Sequence, residues 1–400
     1  MDFAHLHSLT GAFRGRRVVV IGDVVADEFV YGRVARVSRE APVLILEYDS
    51  TEIVPGGAGN AANNVAALGG TAALVAMVGR DDPARRVLDA LHRRVDPTHL
   101  VRVNGTPTPI KTRILAGGVH SAKQQVVRID RAVRRTSDAR SRQAFERAVL
   151  KAIGGADAVL LSDYGSGVVT PALARKVRAE LKRVGAPIPV LVDSRYRLLE
   201  YTGLTISTPN QSEVEQALDV RIGDNLGALE RAGREILERT SMQAVLVTRG
   251  SRGMALFVPD TPTVHVPIFG TDSIVDVTGA GDTVVSTVAL ALAAGGSFEA
   301  AARLANYAGG LVVMKRGTAT VSADELRAAL ADRSAPRTRD GGQRAADGRV
   351  PRRRAGGRRS TGAKRGATGL TRRSARAKRG AETGLPRRSA RAKRGAKAGG

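Results

Sequence analysis

The chain has 400 residues, with 63 basic against 38 acidic side chains, a net charge of +25 and no cysteine, which excludes disulfides, thiolate metal sites and a cysteine nucleophile. The charge is uneven: from Ser334 onward there are 22 Lys and Arg against three acids, a net of +19, so residues 1–333 carry only +6. The opening stretch MDFAHLHSLTGAFRGRRVVVIGD lacks the continuous apolar segment of a signal peptide, and no apolar run approaches the roughly 20 residues that cross a bilayer, so a cytoplasmic protein with no membrane contact is expected.

Taken in chain order, RVVVIGD, ending at Asp23, is the first strand candidate. AALVAMVG to Gly79, DAVLLSDYG to Gly165, PVLVDS to Ser194, TISTPN to Asn210 and QAVLVTRG to Gly250 follow it. Such runs without alternation suit strands covered on both faces. Between them the pattern predicts helices over Ala58–Leu68, Pro83–Arg94, Ser141–Ile153, Pro171–Val184, Leu226–Arg239, Ala280–Ala294 and Phe298–Val313. Strand and helix in repetition give an α/β class with a mostly parallel sheet between helices, in one large domain over residues 1–333.

Two segments break the rhythm. Residues 27–54 and 109–130 read as extended and partly alternating, and extra strands inserted into an α/β core commonly cover the site at the carboxyl ends of the parallel strands. They are assigned to a small β lid. Its exposed strand edges make pairing with a second copy of the chain a natural expectation.

The region 334–400 has no aromatic residue and too few aliphatic ones to offset the entropy of ordering it, so disorder is expected. TGLTRRSARAKRGA (Thr368–Ala381) recurs as TGLPRRSARAKRGA (Thr383–Ala396). Dispersed Arg and Lys of this kind attract phosphate backbones through counterion release, giving non-specific, salt-sensitive nucleic-acid contact; a solvated extension with no partner is the plain alternative.

Several strand candidates end in polar or glycine clusters: Gly22-Asp23, Ser162-Asp163, Asp193, Thr208-Pro209-Asn210 and Thr248-Arg249-Gly250. In a doubly wound sheet these ends share one edge, where they can converge. PGGAGN (Pro55–Asn60) permits close approach of backbone to a ligand at Gly56 and Gly57, with Asn60 as donor and acceptor; the alternative is a glycine turn before a helix packed through small residues.

In DVTGAGDTVVSTVALALAAGG (Asp276–Gly296), Gly279, Ala280 and Gly281 bring unshielded N–H groups to a helix start, where the positive end of the dipole favours a phosphate. Phosphoryl transfer fits this arrangement, with Asp282 accepting the proton of an attacking hydroxyl. Asp282 as an ordinary helix cap is the competing reading.

DVTGAGDTV and PGGAGNAANNVAALGG, in that order and at that separation, resemble the paired signatures of the PfkB/ribokinase carbohydrate kinases, and the likeness extends from about Val18 to about Ser322. GDVVADEFVYGRVARVSREAPV, IKTRI, LSDYGSGVVT, TPNQSE, VTRGSRGM and GTATVS are most similar to the heptose 7-phosphate kinases that form part of bifunctional ADP-heptose synthesis proteins. The resemblance implies a ribokinase-like three-layer α/β/α domain with a β lid, and an ATP- and Mg²⁺-dependent transfer to the anomeric hydroxyl of a sugar phosphate. It implies Asp282 as base and Gly279, Ala280 and Gly281 as the anion hole. It places Asn210, Gln211, Ser212 and Glu213 near ATP, Glu213 helping to hold Mg²⁺ through water, and Thr248, Gly250 and Asn306 around the nucleotide.

Asp23, Asp27, Gly56, Gly57 and Asn60 are implied as sugar-binding. The chain reads SDYGSG and DSR where relatives often carry SDYxKG and DPK: Arg195 keeps positive charge and Ser166 does not. Arg33, Arg36, Lys111, Arg113 and Arg128 of the lid could then supply cations for a substrate phosphate, Lys111 and Arg113 foremost. Where the bifunctional proteins continue into a nucleotidyltransferase domain this chain enters its basic segment, so that step is expected from a separate protein. A kinase of another sugar or nucleoside, and a nucleic-acid-binding protein on an inactive kinase fold, are the alternative functions.

Overall fold

The computed structural model describes residues 2–117, 123–131, 138–270 and 275–334. The basic repeats lie outside the described residues, as does all of the region expected to be disordered except Ser334, which closes the last helix.

The strands are Arg17–Gly22 (β1), Val24–Val37 (β2), Leu44–Gly57 (β3), Thr71–Val75 (β4), Met77–Val78 (β5), Val95–Asp96 (β6), Val101–Arg102 (β7), Ile110–Gly117 (β8), Gln124–Arg131 (β9), Ala158–Asp163 (β10), Val190–Ser194 (β11), Ile206–Ser207 (β12), Ala244–Thr248 (β13), Met254–Phe257 (β14) and Val264–Val266 (β15). The helices are Phe3–Gly11 (α1), Ala58–Ala67 (α2), Asp82–Asp89 (α3), Ala139–Ala152 (α4), Pro171–Arg183 (α5), Gln211–Leu218 (α6), Leu226–Thr240 (α7), Ala280–Ala293 (α8), Phe298–Val312 (α9) and Ala323–Ser334 (α10). Nine strands form the central sheet in the order β15-β14-β13-β12-β11-β10-β1-β4-β6. All neighbours pair parallel except the β13–β14–β15 edge, which is antiparallel.

Alternate residues of each central strand serve opposite layers. Val18, Val20, Leu160 and Leu191 pack with Val65 of α2, Val288 of α8 and Leu304 of α9, while Val19, Ile21, Leu161 and Val192 pack with Phe145 and Val149 of α4 and Leu173 and Val177 of α5. A third apolar cluster joins Val245, Val247 and Phe257 to Leu229 and Ile236 of α7. Burying a side chain of this size stabilises by about 1.5–3 kcal/mol, so the unbroken apolar runs both specify the strands and hold the three layers together.

The two extended segments form a separate sheet, β3-β2-β8-β9. Its long hairpin runs from the pair Val24/Gly57 at the base to Val37/Leu44 at the tip. The base adjoins the site, because β2 follows Asp23 directly and Gly57 leads into α2. Towards the tip, Val37, Val43 and Leu44 are exposed, and Val127 and Ile129 are exposed on β9.

One sequence expectation needs correction. The helix expected over Pro83–Arg94 ends at Asp89, because the Asn63 side chain takes the His92 N–H at 2.8 Å and donates to the Ala90 carbonyl at 3.3 Å, turning the chain toward β6. Helices α1, α6 and α10 and the β14–β15 edge add elements that the sequence pattern does not announce. Among the described residues no helix is long and apolar enough to cross a membrane.

Candidate active site

Parallel pairing in continuous register carries the carboxyl ends of β1, β10 and β11 to one edge: Gly22 stands opposite Ser162, and Ser162 opposite Asp193. An isolated bridge between Asn210 and Thr248 extends the same edge to β12 and β13. Helices α2, α6 and α8 begin beside it.

Helix α8 starts on Gly279 at φ 77° with no side-chain cap. A Cβ on Gly279 would stand 2.5 Å from Asn60 Nδ2, whereas one on Gly281 would meet nothing within 4 Å: the first glycine is needed by the fold, and the second faces open space. The Ala280 N–H is spent on Val277 O at 3.2 Å. Asp282, the third residue of the helix, does not cap it. Its carboxylate accepts from Asn60 Nδ2 at 2.7 Å and from the Tyr164 hydroxyl at 3.0 Å and is almost wholly buried. Burial raises its pKa from 3.8 to about 6, against the lowering effect of those two hydrogen bonds and of Lys111. A carboxylate poised there is ionised at neutral pH and basic enough to take a hydroxyl proton.

On the lid side, Arg113 Nη1 donates to Asp27 Oδ1 at 2.6 Å in a buried ion pair, and Thr318 Oγ1 lies 3.3 Å from Asp27 Oδ2. A Cβ on Gly56 would collide with the Asp27 carboxylate, and one on Gly57, at φ 57°, with the Asp23 carbonyl. Lys111 Nζ lies over the Tyr164 ring, 4.9 Å from its centroid. Burial pulls its ammonium pKa down, while Asp27 pushes it up. Asp23 uses its carboxylate on the next loop, accepting from Tyr164 N at 3.0 Å, from Ser166 N at 3.3 Å and from the Ser166 hydroxyl. Ser166 is thereby a structural tie to Asp23.

On the other side, Asn210 caps α6 and Glu213 closes a capping box with it. Burial raises the Glu213 pKa. Nearby, Asp193 is pushed well above the usual carboxylate range by burial first and then by the charges of Glu213 and Asp282. The Ser162, Ser207 and Thr208 hydroxyls at these strand ends are buried without a hydrogen-bond partner. Gln211 is held by Glu215, Gly223 O and Arg249, Ser212 is exposed, Thr248 ends β13, and Gly250 at φ 57° has open space about it. Asn306 sits on α9 and donates to Pro267 O at 2.8 Å, lining a cavity of about 160 Å³ with Phe269 and Tyr307.

The structure therefore brings Asp23, Asp27, Gly56, Gly57, Asn60, Lys111, Arg113 and Asp282 into one connected cluster. It adds three residues that sequence reasoning does not single out: Tyr164, Asn64 and Thr283. Tyr164 was within reach of such reasoning, because SDYG puts a hydroxyl one residue beyond a strand end. The neighbouring Asp163 is spent on the fold, accepting from Ser194, Tyr201, Arg197 and Gly165 N.

Comparison with known proteins follows the same line. Residues 16–325 match the model described as pfkB family carbohydrate kinase. The chain is 43% identical over 336 residues to the bifunctional protein HldE of Caulobacter vibrioides, covering 82% of this chain and 66% of that protein. The HldE of Azorhizobium caulinodans is 42% identical, covering 78% and 64%. The chain thus spans just under two thirds of the length of these relatives. Its fold superposes on Arabidopsis thaliana ribokinase complexed with ribose and ATP, with TM-score 0.60, 22% identity and 79% and 99% of the two chains covered. Escherichia coli phosphofructokinase-2 in complex with fructose-6-phosphate gives TM-score 0.63, 18% identity and coverage of 80% and 99%.

Proposed function

From the premise that the chain belongs to the pfkB family of carbohydrate kinases, we propose that it transfers the γ-phosphoryl group of ATP to the anomeric hydroxyl of D-glycero-D-manno-heptose 7-phosphate, giving the 1,7-bisphosphate. The observation that carries this reading is the α8 start, where an uncapped glycine turn stands beside a buried carboxylate held by Asn60 and Tyr164.

In the proposed reaction Asp282 takes the proton of the sugar hydroxyl as its oxygen bonds to the γ-phosphorus and the bond to the β-phosphate oxygen breaks, releasing ADP. The N–H groups at the α8 start and the helix dipole stabilise the charge on the moving phosphoryl group. Asp27 and Arg113 shape the sugar side. Lys111, with Arg195 close enough to depress its pKa, supports an anionic sugar over a neutral one such as ribose or a nucleoside.

The residues present suit Mg²⁺. Glu213 would supply a carboxylate, and the unpartnered Ser162, Ser207 and Thr208 hydroxyls are oxygens at the same strand ends, while no cluster of three or more metal-binding side chains exists among the described residues. Magnesium usually takes one or two carboxylates and fills its shell with water and phosphate oxygens, so Glu213 would hold it through water. When bound, it supplies charge neutralisation at the phosphates.

Residues 1–333 are read as the kinase domain and 334–400 as an appended basic segment, whose net +19 favours salt-sensitive contact with nucleic acid. Pairing of two copies through the lid is supported by its exposed Val37, Val43, Leu44 and Ile129, and a cytoplasmic location fits ATP as substrate.

Phosphorus NMR of the full-length protein with Mg-ATP and heptose 7-phosphate, fructose 6-phosphate, ribose or adenosine tests the proposal. A new anomeric phosphate with heptose 7-phosphate alone is expected. Product from a different acceptor, or none from any of the four, overturns the substrate assignment.

A further inference from the structure

Of the three asparagines of helix α2, Asn60 and Asn64, one turn apart, are buried where α2 packs on α8. Their amides form a chain that ends on the candidate base. Asn64 Nδ2 donates to the Asn60 carbonyl at 3.0 Å and to Asn60 Oδ1 at 3.1 Å, and Asn60 Nδ2 donates to Asp282 Oδ2 at 2.7 Å. At the far end the Thr283 hydroxyl donates to Asn64 Oδ1 at 2.9 Å.

The two ends of a side-chain amide are nearly alike in shape, so only its partners decide which way it points. A backbone carbonyl can accept and never donate. The Asn60 carbonyl therefore obliges Asn64 to turn its Nδ2 toward α2, and the second proton on that nitrogen obliges Asn60 to turn its Oδ1 toward Asn64. Asn60 is left with its Nδ2 facing Asp282. Thr283 carries no such information, because a hydroxyl donates to an oxygen or accepts from an N–H equally well.

We propose that Asn64 is a positioning residue, locking the Asn60 amide so that the Asp282 carboxylate is always met by a donor and never by an acceptor. The proposal rests on the reading of Asp282 as the base, but the orientation of the amides can be tested without turnover. The other ionisable groups facing Asp282 come from different elements: Tyr164 from the loop after β10, Asp27 from β2, Lys111 from β8 and Asp193 from β11. None touches Asn64 in the hydrogen-bond chain, so changing Asn64 leaves them in place.

The test is a carbon NMR titration of full-length protein labelled at aspartate carboxyls, with the Asp282 signal assigned by its loss in Asp282→Asn. The wild-type midpoint is expected at about 6. In Asn64→Leu, which keeps the branched outline and removes the lock, it is expected to rise by roughly one pH unit. The acidic limb of kcat should move with it, while KM for the sugar changes less than about twofold. In Thr283→Val the midpoint is expected to stay within ~0.3 unit of wild type, since the Asn60 backbone carbonyl fixes the Asn64 amide without Thr283.

An unmoved midpoint in Asn64→Leu overturns the proposal. An equal rise in Thr283→Val does so too, because it would mean that any loosening of the α2–α8 contact suffices. A midpoint that moves without the rate profile following upholds the positioning role and overturns the base assignment instead. Should Asn64→Leu fail to fold, the wild-type Asn60 side-chain amide protons are followed directly. They are expected to titrate with the Asp282 midpoint, and their failure to do so overturns the proposal.

Discussion

Helices α6 and α8 start at the same sheet edge, and each has an acidic residue at its third position, yet the two ends are built in opposite ways. In α6 the Asn210 side chain accepts from Glu213 N at 2.9 Å and Glu213 Oε2 accepts from Asn210 N at 2.8 Å, a closed box that satisfies two of the donors at that end. In α8 the cap is a glycine without a side chain, and the acid turns away to Asn60 and Tyr164. A helix end closed by a capping box is ordinary stability; the α8 end, where the Ala280 N–H is spent on Val277 O but no side chain caps Gly281 or Asp282, is the place we propose for an anion and a proton.

The largest expected effect follows from removing that carboxylate. Asp282→Asn should lower turnover by a factor of about 10² or more with ATP affinity largely retained, because the base goes and the bare helix end stays. Steady-state kinetics and calorimetric ATP titration check it; comparable turnover in the variant would contradict the proposal that Asp282 is the base and break the contrast between the two helix starts. The same substitution should raise stability at neutral pH. A folded pKa of about 6 against 3.8 unfolded means that the native state binds the proton more tightly. Stability from this group is therefore full below pH 3.8 and declines as pH rises to about 6, so the Asp282→Asn variant should gain about 3 kcal/mol at pH 7 and almost nothing at about pH 3.5 by urea unfolding. The acidic limb of wild-type kcat should lie near pH 6.

The glycines sharpen the comparison at intermediate size. Gly279→Ala forces a side chain into the positive-φ region and against Asn60, and should cost about 1–3 kcal/mol in thermal or urea unfolding. Gly281→Ala meets no protein atom and should leave stability unchanged or improved by up to about 1 kcal/mol, yet lower kcat where a phosphoryl group must approach. Equal loss of stability in both would remove the distinction between a fold glycine and a ligand glycine. The smallest effect is expected at the sealed end, where Asn210→Ala should cost about 1 kcal/mol as a lost cap.

How far the chain discloses its structure differs by level. Strands β1, β10, β11 and β13 are legible because burial on both faces leaves only apolar residues in most of their length. The β14–β15 edge is not, since four and three residues are too few to show a period. For helix α3 the amphipathic pattern continues past Asp89 and overstates its length, because only a residue from another helix, Asn63, ends it.

At the site, Gly279 and Asp282 stand out because small residues before an acid make poor helix sequence without a ligand to justify them. Asn210 and Glu213 are ambiguous in sequence, since N-x-x-E spells both a capping box and a metal-side carboxylate, and the box is formed. Asn64 and Thr283, unlike Tyr164, gain meaning only when α8 packs on α2. No local pattern encodes that meeting.

The most direct test of the contrast is amide NMR of the full-length protein with ADP, Mg²⁺, aluminium fluoride and heptose 7-phosphate, the fluoride standing in for the moving phosphoryl group. The account predicts strong downfield shifts of the Gly281 and Asp282 amide protons and little change at the Glu213 amide proton, which Asn210 already holds. Unmoved Gly281 and Asp282 signals in a complex that forms would contradict it.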